Sequence, residues 1–314
     1  MSQKSFTFKG ANGNEVFSWC WKASGGEPTG ILQIFHGMAE HAYRYADLAG
    51  YLNSRGFTVY AIDQRGHGRT GEINNDLCHL EDDGFIGIVQ DQQLLSQRIR
   101  QEYPNVPLFI LGHSFGSFIA QEYIKRYAAE LSGVILSGSC LMKGAEAKAG
   151  LLLAYIMRLF GTRRPNKLLD KLSFGSYSKS MPDPAGRFCW LSRDEEQVRK
   201  YEADRFCGSV MSTGFFYWFF KGLNGLYDKE GLGKIPRDLP VCILSGNNDP
   251  VGKYGSGTSK LYDLYKDLGI SDVRIKLYKD ARHEIINEVN RDEVYSDISE
   301  WLGQHAELYD SPQK

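Results

Sequence analysis

Short apolar runs of strand length alternate with longer segments of helical spacing, and no other feature of this chain constrains its fold so strongly. VFSWCW (16–21), ILQIF (31–35), TVYAID (58–63), LFIL (108–111), GVILSG (133–138), VCILSG (241–246) and RIKLY (274–278) read as strands. Helical patterns run over 43–55, 85–103, 118–127, 259–268 and 293–304, with Gly56 and Pro104 placed where helices stop. Strands that alternate with helices build parallel βαβ units whose sheet is covered on both faces. From 140 to 235 the alternation lapses into helical and irregular patterns. The expected architecture is therefore α/β. One discontinuous core, 1–139 and 236–314, holds a mostly parallel sheet with helices on both faces, and a helical insertion occupies 140–235.

Apolar residues make up 42% of the 314 and charged residues 24%, ordinary proportions for a globular protein. The 37 basic and 38 acidic side chains are spread along the chain for a net charge of −1, so no nucleic-acid surface is expected. Cys20, Cys78, Cys140, Cys189, Cys207 and Cys242 lie far apart with no C-x-x-C pair, as suits reduced thiols in the cytoplasm. The opening MSQKSFTFKGANGNE lacks the apolar stretch of a signal peptide. No run approaches the ~18 apolar residues of a membrane span. A soluble cytoplasmic protein without a membrane span is expected.

Residues 108–119, LFILGHSFGSFI, place a serine between an apolar strand and a helix. Ligands of open parallel sheets bind beyond the carboxyl ends of the strands, and Ser114 sits at such an end. Gly112 and Gly116 flank it where a side chain would collide with neighbouring backbone in a sharp strand-to-helix turn, the geometry of a nucleophile elbow. A serine hydroxyl needs a base, and the base an orienting acid. Asp249 follows VCILSG and His283 follows RIKLY. Both therefore lie on the edge that carries Ser114, in the chain order Ser, acid, His. His67, in the glycine-rich QRGHGRTG, is an alternative base, and Asp280, on the loop of His283 itself, an alternative acid. His36 is expected to brace its loop, and Asp63 to tie down the arginine-glycine loop that follows it. A second oxyanion donor is expected in HGMAEH after ILQIF. There Gly37 permits close approach, and the N–H of Met38 would pair with the N–H of Phe115.

These segments together resemble the α/β-hydrolases of the monoacylglycerol lipase and lysophospholipase branch, grouped by some with the serine aminopeptidases. The resemblance spans nearly the whole chain and rests on HGMAEHAYRY (36–45), DQRGHGRT (63–70), GHSFG (112–116), SGNNDPVG (245–252), ARHEIINE (281–288) and, within the insertion, LSRDEEQVRKYEAD (191–204). It implies the α/β-hydrolase fold, with Ser114, Asp249 and His283 as nucleophile, acid and base, Met38 and Phe115 as oxyanion hole, and the insertion as a cap over the site. The activity implied is hydrolysis of a carboxylic ester, a small-molecule acyl ester of the monoacylglycerol or lysophospholipid type. A small-substrate carboxylesterase, an aminopeptidase and a catalytically inactive binding module of the same fold are the alternatives.

Two apolar clusters, LLLAYIMRLF (151–160) and FFYWFF (215–220), bear on the substrate. Either lines an acyl tunnel and offers an apolar face for transient contact with lipid surfaces, or both are cap helices packed on each other and on the sheet. Arg163, Arg164 and Lys167 between them either meet an anionic head group or form a solvated basic face. No Cys/His cluster has the spacing of a metal site, HEII lacks the second histidine of H-E-x-x-H, and QRGHGRTG fits neither a Walker loop nor a dinucleotide fingerprint. No metal and no cofactor are expected.

Overall fold

A computed structural model describes residues 2–181 and 186–310. Eight strands among them form one sheet: β1 Ser2–Lys9, β2 Glu15–Lys22, β3 Gly30–Phe35, β4 Phe57–Ile62, β5 Leu108–His113, β6 Gly133–Ser137, β7 Val241–Gly246 and β8 Val273–Tyr278. Their order is β1-β2-β4-β3-β5-β6-β7-β8. β1 and β2 pair antiparallel at one edge, β2 meets β4 antiparallel, and every later pairing is parallel. The helices are α1 Ala46–Asn53, α2 Gly68–Ile73, α3 Gly84–Glu102, α4 Phe115–Tyr127, α5 Ala145–Arg158, α6 Lys167–Phe174, α7 Glu195–Ala203, α8 Thr213–Gly225, α9 Lys229–Gly233, α10 Ser256–Asp267 and α11 Arg291–Asp310.

The pleat explains why the central strands are apolar throughout. Ile110, Val134, Leu136, Val241 and Ile243 point into a core shared with α3, α4 and α10. Their neighbours Phe109, Leu111, Ile135, Cys242 and Leu244 point into the opposite core, closed by α1 and α11. Alternate side chains enter opposite faces, so a strand covered on both sides needs apolar residues at every position.

β1 has no counterpart among the strands expected from sequence. SQKSFTFK has only Phe6 and Phe8 to place against the sheet, and both remain partly exposed at its edge. QRGHGRTG, read as a loop, turns helical at Gly68. α4 begins at Phe115, three residues before its apolar pattern starts, because the serine corner leads straight into its first turn.

Five helices, α5 to α9, lie between β6 and β7, and among the described residues no strand interrupts them. Of the expected insertion, residues 182–185 lie outside the described residues. α5 packs along α8. Gly150 makes the approach possible, since a β-carbon there would lie 2.6 Å from the Phe220 ring.

Candidate active site

β5 delivers Ser114 with φ +51 and ψ −118, a backbone conformation that L-residues rarely adopt. The Ser114 N–H donates to the Ser137 carbonyl at 2.9 Å, and the Ser114 carbonyl accepts from the Ser117 N–H and hydroxyl at 2.9 and 2.6 Å. Each side of the corner needs a glycine. A β-carbon on Gly116 would lie 2.0 Å from the Phe35 carbonyl oxygen and 2.5 Å from that of His36. One on Gly112 would lie 2.5 Å from the Gly116 oxygen. Those neighbours are backbone, so Gly116→Ala is expected to lower unfolding stability by about 3 kcal/mol, read from the midpoint of urea unfolding. An unchanged midpoint would mean that the end of β3 yields freely.

Asp249 is fully buried beyond β7. Its Oδ2 accepts from His283 Nδ1 at 2.9 Å and from the Ser245 hydroxyl at 3.2 Å, and its Oδ1 accepts from the Val251 N–H at 2.8 Å. Burial alone would raise the carboxyl pKa, but the charge and hydrogen bond of His283 and the Val251 and Gly252 N–H groups hold it below the ordinary value. For His283 the balance mirrors this. Burial disfavours the imidazolium, yet the Asp249 carboxylate outweighs it and raises the pKa above that of a free histidine. With Nδ1–H assigned to this hydrogen bond, the lone pair is on Nε2.

Ser114, His283, Met38 and Phe115 all line one cavity of about 710 Å³, within the range typical of small-molecule sites. Gly37 brings the preceding loop against the corner: a β-carbon there would lie 3.4 Å from Ser114 Cβ and 2.7 Å from Glu40 Oε1. His36 braces that loop. Its Nε2 accepts from the Gln64 N–H at 2.9 Å and its Nδ1 donates to the Gly37 carbonyl at 2.8 Å. Burial lowers its pKa to about 3, so it stays neutral. Asp63 takes the Ala42 and Arg69 N–H groups on its two oxygens.

The alternative base and acid are not brought to the cavity. His67 is buried beside Phe115 and Phe215, bonded to the Arg65 carbonyl, with burial lowering its pKa to about 3. Asp280 is exposed at a left-handed turn. His113 lies 4.8 Å from the His283 ring centroid, and burial, then the His283 charge, lower its pKa to about 4.

Sequence reasoning missed the ion cluster that joins the loop after β3 to the loop after β8. Arg44 bonds Glu40 at 2.6 Å and grips Glu284 with both terminal nitrogens at 2.6 and 2.7 Å, both carboxylates being buried and Arg44 half-buried. Glu40 also accepts from the Gly37 N–H and the Tyr45 hydroxyl. The partners Arg44 and Glu284 are 240 positions apart, and no local pattern signals such a pair.

The insertion closes over these loops. Residues 189–193 are stitched to the histidine loop: the N–H groups of His283 and Glu284 donate to the Trp190 and Leu191 carbonyls at 3.3 and 2.7 Å, and Arg282 donates to the Cys189 carbonyl at 2.6 Å. The Tyr201 hydroxyl and the Gly208 N–H both reach the Ala39 carbonyl at 2.9 Å. The two apolar clusters divide between the two expectations. Phe215 and Phe216 are core, whereas Leu153, Phe219 and Phe220 line the cavity. Leu152, Tyr155, Ile156, Leu159 and Phe160 stand exposed at helical spacing along α5 and its end, Phe160 by 86%. Arg163 is spent on Glu81 and Asp76, and neither it, Arg164 nor Lys167 lines the cavity.

A mostly parallel sheet with a strained serine at the end of its central strand defines an α/β-hydrolase. The model of the family described as serine aminopeptidase, S33, matches residues 26–290, and the chain belongs to that family. It is 28% identical to a monoacylglycerol lipase of Mycolicibacterium smegmatis over 97% of this chain and 98% of the relative. It is 26% identical to human monoglyceride lipase over 94% and 89%. A thermostable carboxyl esterase from Bacillus coagulans, solved with glycerol, superposes with a TM-score of 0.89 at 28% identity, covering 98% of this chain and 99% of the esterase.

Proposed function

We propose that this carboxylic ester hydrolase acts on monoacylglycerol-type or lysophospholipid-type acyl esters, with Ser114 as nucleophile, His283 as base and Asp249 as the acid that orients it. The observation that carries this reading is the buried Asp249–His283 pair facing the same cavity as Ser114. His283 Nε2 takes the Ser114 hydroxyl proton as Oγ bonds to the ester carbonyl carbon, and the carbonyl electrons move to an oxyanion held by the Met38 and Phe115 N–H groups. Collapse expels the alcohol, which leaves with the proton from Nε2. Water, losing a proton to Nε2, then attacks the acyl-enzyme, and Ser114 regains its hydrogen as the acid departs.

The cavity favours esters over peptides with a free amino terminus. An α-ammonium needs a carboxylate partner. Among the described residues, the carboxylates along the cavity are already engaged: Glu40 and Glu284 by Arg44, Glu146 by Lys253 and Asp170 by Arg187. Leu153, Leu169, Met211, Phe219 and Phe220 offer an acyl chain an apolar wall. The insertion, 140–235, acts as the cap in this reading, and the exposed α5 face touches lipid surfaces transiently. No described helix is long and apolar enough to cross a membrane. Six free cysteines favour a reducing compartment such as the cytoplasm.

Hydrolysis rates across glyceryl and simple esters with acyl chains from acetate to oleate test the substrate class. The expected result is a maximum at long chains with a preference for glyceryl esters, and no turnover of aminoacyl-anilides. A maximum at acetate or butyrate would make the protein a small-substrate esterase and leave the apolar wall without a ligand.

A further inference from the structure

His41 stands on the loop that carries Met38, and Asp204 and Cys207 stand on the insertion just after α7. Their ligand atoms, an imidazole nitrogen, a carboxylate oxygen and a thiol sulfur, lie within 4.8 Å of one another. His41 Nε2 already touches Asp204 Oδ2 at 2.9 Å. His41 and Cys207 are buried, while the Asp204 side chain is 32% exposed and leaves the trio a route to solvent. No sequence spacing announces this group, because 163 positions separate His41 from Asp204.

We propose that His41, Asp204 and Cys207 bind one borderline-soft divalent cation of the zinc class, completed by solvent, which ties the insertion to the loop after β3. A nitrogen, an oxygen and a sulfur in one cluster are the donor types zinc takes, at about 2.0–2.3 Å, which sets tetrahedral ligand atoms about 3.5 Å apart. The wider gaps in the trio therefore close by on the order of 1 Å, while the 2.9 Å His41–Asp204 contact opens to admit the ion. The charge balance favours a cation. Arg44 is the neighbouring positive group and acts on both Asp204 and Cys207, but its own hydrogen bonds go to Glu40 and Glu284, so among the described residues no side-chain cation bonds Cys207. A bound cation displaces the Cys207 thiol proton to solvent as the sulfur–metal bond forms. Imidazole binds through Nε2 with its proton on Nδ1. The bound ion would sit against the Ala39 carbonyl clasp made by Tyr201 and Gly208, one residue from Met38.

Cobalt(II) titrated into the full-length, metal-free protein tests this directly. The expected result is a near-ultraviolet thiolate-to-cobalt band that saturates at one equivalent and is lost in Cys207→Ser. Zinc at a hundredfold its dissociation constant should raise Tm by about 4 °C. Asp204→Asn, which keeps the thiol and the shape, should bind cobalt at least tenfold more weakly. It carries the test alone if Cys207→Ser does not fold. No band at one equivalent, a band that survives Cys207→Ser through another thiol, or unchanged affinity in Asp204→Asn would each overturn the proposal.

Discussion

Ser114→Ala is expected to lower kcat by a factor of about 10⁶, by analogy with other serine triads, while thermal unfolding changes little. Alanine differs from serine only by the hydroxyl, and the corner's own hydrogen bonds run through the backbone of Ser114, not its side chain. The substitution therefore removes the proposed nucleophile and leaves the strained turn. Labelling by a fluorophosphonate should disappear with activity, because in this proposal the same oxygen attacks both ester and probe. Initial rates, labelling and a melting curve on one preparation decide it. A folded variant that kept a tenth of wild-type turnover would exclude Ser114 as nucleophile.

Asp249→Asn is expected to cost about 10⁴ in kcat, since an amide can orient the imidazole in the wrong tautomer. It should also move the acid limb of the pH profile. In the wild type the carboxylate raises the His283 pKa against the opposing effect of burial. The neutral base is therefore lost as pH falls through a midpoint above about 6.5, the ordinary histidine value. Without the carboxylate, burial is opposed only by the charges of Glu284 and Glu40, and the midpoint should drop. A kcat/KM profile for both proteins measures the shift. An acid limb that stayed in place would assign it to another group.

Gly112, Gly116, Asp249 and His283 were legible because each lies at or within a few residues past the end of a strand, and strand ends are readable from apolar runs that need no knowledge of distant partners. The edge strand β1 was not, because its two phenylalanines pack on a sheet margin where alternation is too short to stand out. Continuous apolar character in α5 suggested burial, yet only one face of that helix meets α8 and the other is exposed. Arg44, Glu40 and Glu284 escaped notice for a different reason. Charged residues are ordinary on a surface, and only tertiary structure brings these three together away from solvent.

The stitch between residues 189–208 and the core alters what counts as an exchangeable part of this enzyme. A chimera that imported a relative's whole 140–235 segment would also replace the carbonyls of Cys189, Trp190 and Leu191 that receive the histidine loop, and the Tyr201 and Gly208 groups that clasp Ala39. Substrate preference and catalytic alignment would then change together and could not be told apart. A graft confined to 140–181 carries α5 and α6, with Leu153 and Leu169 of the cavity wall, and leaves those bonds native. The modular boundary for redesign thus falls inside the insertion, not at its ends.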